Sequence, residues 1–368
     1  MKKTIKDITE QATKFASTQA GIESLLSKTP AWVFANREDN QIILSTRIRL
    51  ARNLKSVPFP STAKNEQLEQ VIETTEQASA FIKMLQGAYL IKLQELDDIS
   101  EKLLVERRLV SPVFASANHA RMVIIDKNEF VSIMVNEEDH LRIQSIQPGL
   151  ALQEAWRLIS LLDDELSERL DYAFSPHFGY LTSCPTNTGT GMRASIQVHI
   201  PALSLTHEVE MLIKELAPSE IAVRGYYGEG SEVMGNIYQI SNQLTLGRTE
   251  AAIVDRLEVV AQKFLEAEQK AREQIHKKER TLIEDKIFRA LGILQNARII
   301  SSHEFLNHLS MVRLGLDLQL LNGLDLTGLN ELMLTTQPAH MQKMHHQRYE
   351  AVQRDTLRAE IIRKKIME

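Results

Sequence analysis

Apolar positions recur along this chain with two different periods, and the period changes mark its elements. The apolar run 42–44 feeds the segment STRIRLARN. Further on, Ile196, Val198 and Ile200 alternate with more polar neighbours, so both stretches predict strands. Residues 180–183 predict a third strand, joined to that second one by a loop of small and polar residues, 184–191. Residues 122–126 and 129–135 predict a hairpin turning at Lys127 and Asn128, and 220–224 a further strand. Helical spacing marks 64–87, through Leu68, Val71, Ile72, Phe81, Ile82 and Leu85, and also 98–109, 150–170 and 208–216. Residues 1–29 predict a polar helical lead-in with Ile22, Leu25 and Leu26 on one small apolar face. From 249 to 296 the pattern is long, charged and helical, with Ile253, Leu257, Val260 and Phe264 in phase; more helices follow, broken at Ser301, Ser302 and 323–328. The expected organisation is an α+β unit over 1–255 followed by an all-helical unit over 256–368.

Composition adds boundaries to this picture. The chain has 368 residues, 43% hydrophobic and 25% charged, enough to bury a sizeable core in two domains. Its 43 Lys and Arg against 48 Asp and Glu leave a net charge of -5, which offers no general attraction to nucleic acid or an anionic membrane. An anionic ligand must therefore be held by a local cluster. One cysteine forms no internal disulfide, the N-terminus has no apolar run behind its lysines, and no window is long and apolar enough to span a bilayer. A cytoplasmic protein is expected.

Four places carry candidate chemistry. Arg47 and Arg49 are two apart on a strand and share one face, a fork for polyphosphate or else a basic edge strand. Glu137, Glu138 and Asp139 precede His140 and Arg142 at a strand end; clustered carboxylates repel unless a cation sits among them, so a cation pocket competes with an acidic turn, and His140 is expected to orient by hydrogen bonding rather than ligate. The loop 184–191 holds Cys184, three threonines, Asn187 and two glycines, a surface for close approach to phosphate or an ordinary connection. Gly225, Gly228 and Gly230 suit a loop that closes over substrates. His340, His345 and His346 are expected on a polar helix face. Arg354, Asp355 and Arg358 would, by spacing alone, make a solvated salt-bridged helix face. No Walker loop and no H-R-D or D-F-G set is present, so a nucleotide must be gripped by arginines.

Cys184 through Thr190 with Arg193 through Ser195 resemble the cysteine signature of the phosphagen kinases, which phosphorylate guanidino groups. Residues 45–53, 135–142 and 224–229, with 240–242 behind, match three further signatures of that family in order. The resemblance implies an antiparallel sheet flanked by helices and ATP with Mg²⁺. It implies phosphate contacts from Arg47, Arg49, Arg142, Arg193 and Arg224, and nucleotide contacts along Ser45, Thr46 and Ile48, along Ala194, Ser195, Ile196 and Gln197, and along Gly225, Tyr226, Tyr227, Gly228 and Glu229. Arg108 stands where the family has a nucleotide-contacting histidine, as a base-stacking group or a solvated helix end, and Tyr227 stands where it has a second loop arginine. Glu138 is the expected base, with Glu137 and Glu229 (or Glu232) clamping the guanidinium. Cys184 would lie beside that cation as a thiolate, its other reading being a small buried hydrophobe.

The layout narrows the resemblance. Only 44 residues precede Ser45 and 118 follow Glu250, a short front and long rear similar to the bacterial protein arginine kinases. That implies protein substrates modified on arginine side chains, with a kinase of free arginine or another small guanidine as the alternative. It also implies a homodimer, a zinc-binding activator protein, marking of substrates for a Clp protease, and control of a stress-gene repressor. By the same resemblance, Arg354, Asp355, Arg358 and Ala359 would receive phosphoarginine.

Overall fold

The structure, a computed structural model, describes residues 15–35, 37–225 and 233–367. Ten strands follow in chain order: β1 (Ile43–Arg52), β2 (Tyr89–Lys92), β3 (Met122–Ile125), β4 (Val131–Val135), β5 (Leu141–Pro148), β6 (Phe174–Ser175), β7 (Gly179–Tyr180), β8 (Met192–His199), β9 (Ile221–Arg224) and β10 (Ile237–Asn242). Eight of them make one antiparallel sheet in the order β2-β3-β4-β5-β1-β8-β10-β9, and β6 and β7 form a separate small hairpin. Because side chains alternate across a strand, the register divides this sheet into two chemically distinct faces.

The back face is mostly apolar. Leu90, Ile124, Ile133, Ile143, Leu50, Ile48, Ala194 and Ile196 join one continuous core there. Helices α2 (Asn65–Ser79), α5 (Leu152–Ser167) and α8 (Glu250–Lys278) contribute to it through Val71, Ile159 and Phe264. The front face carries its largest apolar cover at one end. Tyr89, Ile91, Val123, Ile125 and Met134 pack there beneath α1 (Thr18–Ser27), α3 (Asp98–Glu106) and α4 (Pro112–Ser116), through Ile22, Leu25, Leu103 and Phe114. Beyond β4, apart from Ile146 packed on Trp32, Val33 and Leu334, that face presents arginines.

Several expected boundaries move. The helix expected over 64–87 stops at Ser79, because the chain turns to drive Ile82 and Leu85 into the core. The one expected over 98–109 stops at Glu106, since Arg108 takes a left-handed conformation, φ 62°. The strand expected over 180–183 shrinks to β7. The long helical stretch 249–296 breaks at Glu279 into α8 and α9 (Arg280–Asn296). Position 255 lies inside α8.

The remaining helices are α6 (Pro201–Leu205), α7 (Val209–Leu216), α10 (Ser302–Asp317), α11 (Leu326–Thr335), α12 (Pro338–Met344) and α13 (Ala351–Met367). Buried polar bonds fuse the rear helices to the sheet. Glu268 of α8 accepts the Ala202 and Leu203 N–H groups at 3.1 and 3.0 Å and pairs with Arg272, which also binds Asp317 of α10. His199 at the end of β8 shares a 2.8 Å hydrogen bond with Ser310. His340, expected on a polar face, is instead buried at the start of α12, where burial and then Arg107 push its imidazole down to about 3.

Candidate active site

Strand register brings the arginines together. Arg49 lies directly opposite Arg193 across β1 and β8, and opposite Gln144 across β1 and β5; Arg142, two residues from Gln144, therefore shares their face. Arg47 opposes Ser195, Gln197 opposes Gln239, and Gln239 opposes Arg224. Five guanidinium groups thus occupy the uncovered front face, although like charges placed directly opposite are destabilising. Burial, then Arg108, Arg142 and Arg193, push Arg47 down to about 9. Arg49 falls well below its usual range for the same reasons, chiefly burial and then Arg47, and its buried Nε finds no partner among the described residues. A polyanion relieves each of these strains, so the residues fit a nucleotide polyphosphate.

Two compartments open on this face. The first, of about 230 Å³, is lined by Ser45, Arg47, Ser195, Ile196, Gln197 and Gln239, with an apolar wall of Val105, Val110, Pro112 and Ile146. Arg108 closes it: the guanidinium lies 4.4 Å from the Trp32 ring centre and donates to Ser45 Oγ at 3.1 Å. Of the two readings for Arg108, the solvated helix end is excluded. The second compartment, of about 520 Å³, is lined by Glu137, Glu138, Asp139, Cys184, Thr186, Asn187 and Thr245. Arg49, Arg142, Arg193 and Arg224 line both. A group shared by the two spaces sits where a phosphoryl would pass between them.

The three adjacent acids line one compartment, but their carboxylates take different partners. Asn136 turns the chain with φ 64°. Glu137 then binds Arg142 and Ser111, and these hydrogen bonds with the Arg142 and Arg49 charges outweigh burial and hold its carboxyl below the usual range. Asp139 accepts from Asn53 at 2.6 Å and from the Ser183 N–H at 2.7 Å, tying the strand end to the cysteine loop. His140 is buried, its Nδ1 accepting from the Leu54 N–H and its Nε2 meeting the Pro58 carbonyl, so both nitrogens serve the backbone. Only Glu138 is exposed, into the second compartment. Burial, then Asp139 and Glu137, push its carboxyl up against the pull of Arg142. Cys184 lines the same space half-exposed, with Sγ 3.0 Å from Thr186 Oγ1, and this removes its reading as a buried hydrophobe.

Not every expected contact lies in the cleft. Thr46, Ile48 and Ala194 fall on the alternate face; Thr46 Oγ1 donates to the Gly149 carbonyl and accepts from the Ala151 N–H at the start of α5. Gly225 is buried at the end of β9, while Tyr226, Tyr227, Gly228, Glu229 and Glu232 lie outside the described residues. Trp32, Ser111 and Gln239 fall outside the motifs read from the sequence, whereas Asn53 closes the stretch 45–53; of those three, only Ser111, followed by Pro112, carries a local signal, that of a helix cap. Away from the cleft, Arg358 and Ala359 are buried rather than solvated. Arg358 binds Asp355 and donates to the Thr336 and Ile300 carbonyls at 3.0 and 2.9 Å.

An antiparallel sheet with an arginine-lined face, and a carboxylate and a thiol beyond it, defines a class of enzyme that moves phosphoryl groups to cationic acceptors. Comparison with known proteins agrees. Residues 67–271 match the model for the ATP:guanido phosphotransferase C-terminal catalytic domain, and residues 280–368 that for the protein-arginine kinase McsB C-terminal domain. The protein-arginine kinase of Halothermothrix orenii is 42% identical over 346 residues, 94% of this chain and 99% of that protein. That of Pelotomaculum thermopropionicum is 44% identical over 336 residues, covering 90% and 94%. Among solved structures, the duplicated taurocyamine kinase of Schistosoma mansoni with bound transition state analogue components superposes with a TM-score of 0.59 at 26% identity, over 66% of this chain and 35% of that longer one. Lombricine kinase shares the fold with a TM-score of 0.57 at 23% identity, over 66% and 70%. The chain belongs to the protein-arginine kinase family of ATP:guanido phosphotransferases.

Proposed function

We propose that this chain transfers the γ-phosphoryl group of ATP to arginine side chains of proteins. The observation that carries the reading is the wall of Arg49, Arg142, Arg193 and Arg224 shared by a nucleotide-sized space and a space holding Glu138 and Cys184. The polyphosphate lies on the arginines of the first compartment, and the acceptor guanidinium enters the second. A protonated guanidinium is a poor nucleophile, so Glu138 takes its proton as the guanidine nitrogen attacks the γ-phosphorus; the N–P bond forms, the P–O bond to the β-phosphate breaks, and ADP leaves. Arginines neutralise the charge that spreads over the transferred oxygens. Among the described residues no group of three or more His, Cys, Asp or Glu side chains could hold a metal ion; Mg²⁺ bound with the nucleotide would supply further charge neutralisation beside the arginines. Glu137 holds Arg142 in place and clamps substrate only indirectly.

The finer role rests on the resemblance. Phosphoarginine marks proteins for a Clp protease and relieves a stress-gene repressor, a zinc-binding protein activates the enzyme, and a cytoplasmic homodimer carries it out. Arg354 and Asp355 receive phosphoarginine. No helix of the described residues is long and apolar enough to cross a membrane.

Incubation with ATP and casein tests the central reading, since a P–N bond hydrolyses in brief hot acid and a phosphate ester on serine does not. Intact mass should rise in steps of one phosphoryl and return to the start after acid; a label that survives acid, or free arginine consumed far faster than casein, overturns the proposal. Cys184→Ser should lower kcat by about ten- to a hundredfold, the loss of one charge-assisted contact, without changing thermal stability, because the side chain is not buried. Wild-type kcat in that variant would sever Cys184 from the chemistry.

A further inference from the structure

An acceptor arginine on a polypeptide brings its neighbours with it, and in an extended chain the residues two or three positions away lie roughly 7–10 Å from it. Something on the rim of the acceptor compartment must meet them. Beside that compartment is a shallow open hollow of about 280 Å³ lined by Phe174, Phe178 and Leu246 together with the polar His177, Arg248 and Glu250. Phe174, Phe178 and Leu246 are 56%, 58% and 54% exposed, three large apolar side chains facing one space. The hollow adjoins the acceptor compartment across the cysteine loop. Thr245 lines one and Leu246 the other, and within the cysteine loop Asn187 and Gly191 face the acceptor side while Gly189 and Thr190 face the hollow.

The floor of this shelf is built rigidly. Phe174 packs edge-on against Tyr180, ring centres 5.2 Å apart, and the Arg52 guanidinium lies 3.5 Å from the centre of the Tyr180 ring. Arg52 is fully buried and held by Asp163 at 2.7 and 3.0 Å. The hairpin is pinned to the cysteine loop by the Tyr180 N–H, which donates to the Gly189 carbonyl at 2.8 Å; Gly179 makes this approach possible, since a Cβ there would meet Gly189 O at 2.4 Å. Exposed aromatic and aliphatic groups on a preorganised support are what a binding surface needs and what a merely solvated loop does not.

We propose that Phe174, Phe178 and Leu246 dock an apolar residue of an extended substrate segment two or three positions from the acceptor arginine. The proposal rests on the reading of the cleft as a protein-arginine kinase site. It makes the shelf a specificity element: apolar flanks are exposed in unfolded segments and covered in folded ones, and free arginine has none.

The test uses the full chain with saturating ATP and three acceptors: an arginine peptide flanked by leucines, the same peptide flanked by glycines, and casein. The wild type should show a KM for the leucine peptide below that for the glycine peptide. Phe178→Ser with Leu246→Ser should raise the leucine-peptide KM about tenfold, the loss of two partly buried apolar contacts, and leave kcat, the KM for ATP and the glycine-peptide KM unchanged. Equal KM values for the two peptides in the wild type, or a preference that survives in the double variant, overturn the shelf. So does an unchanged leucine-peptide KM accompanied by a smaller sedimenting species, which would give the surface to a second copy of this chain. Failure of the wild type to phosphorylate casein or either peptide would instead bring down the reading of the cleft, and the shelf with it.

Discussion

Glu138→Gln should still bind ATP and should transfer no measurable phosphoryl group, a fall of about 10²–10⁴-fold or more in kcat. The amide matches the carboxylate in shape and cannot accept the guanidinium proton. Nucleotide affinity is expected to hold, because Arg47, Ser45, Gln197 and the apolar wall lie in the other compartment. Fold stability should hold too, since Glu138 is exposed and its backbone carbonyl, not its side chain, accepts the hydrogen bond from Ser183 Oγ. The same carboxyl sets a pH dependence. Its affinity for protons is raised by burial and by Asp139 and Glu137, and the ionised form is the base, so activity should rise with pH through that raised value and be lost below it. The limb should vanish with the residual activity of the glutamine variant. Equilibrium nucleotide binding and single-turnover transfer on casein check both halves; a folded Glu138→Gln enzyme with undiminished single-turnover transfer would falsify the assignment.

Local pattern made the site's strands legible, and register made the site. The alternation in STRIRLARN is enough to put Arg47 and Arg49 on one face, and the structure has them there. That Arg193 stands opposite Arg49, and Arg142 diagonally beside it, depends on how β8 and β5 pair with β1, which no single stretch encodes. Gln239 and Trp32 escaped notice for the same reason: each reaches the cleft only through elements distant in sequence. The three acids line one compartment, yet a turn at Asn136 sends Glu137 to Arg142, Glu138 to the open cleft and Asp139 to Asn53, a division that adjacency in sequence does not encode. Helix ends were misplaced where tertiary demands outweighed periodicity, at Ile82, which the core recruits, and at Arg108, whose left-handed backbone lets its side chain fold over the nucleotide space. Both lie where packing overrides propensity.

Arg358→Ala should destabilise the rear helices, and Arg354→Ala should not, although spacing alone makes the pair look equivalent. Arg358 is 1% exposed, and its guanidinium donates to the carbonyls of Thr336 and Ile300 while pairing with Asp355. These bonds join α13 to the end of α11 and to the turn before α10. Truncation leaves two carbonyls and a carboxylate without their donor and opens a void beside buried Ala359, an effect of about 3–5 kcal/mol by analogy with other broken buried pairs. Thermal melting should show it as an earlier transition. Arg354 is half-buried and donates to the Tyr349 carbonyl at 3.1 Å, so its removal should fall within about 0.5 kcal/mol of the wild type. The division matters for the proposed phosphoarginine site. Asp355 keeps a partly exposed carboxylate beside Arg354, opposed charges suited to a guanidinium and its phosphoryl group, while Arg358 holds Asp355 from beneath. Arg354→Ala should therefore abolish the calorimetric heat of free phosphoarginine in a Glu138→Gln background and leave melting unchanged. If Arg358→Ala melts with the wild type, the buried guanidinium is not what holds these helices. If Arg354→Ala binds phosphoarginine undiminished, the ligand is received elsewhere, because no structural loss in that variant could mask a true contact.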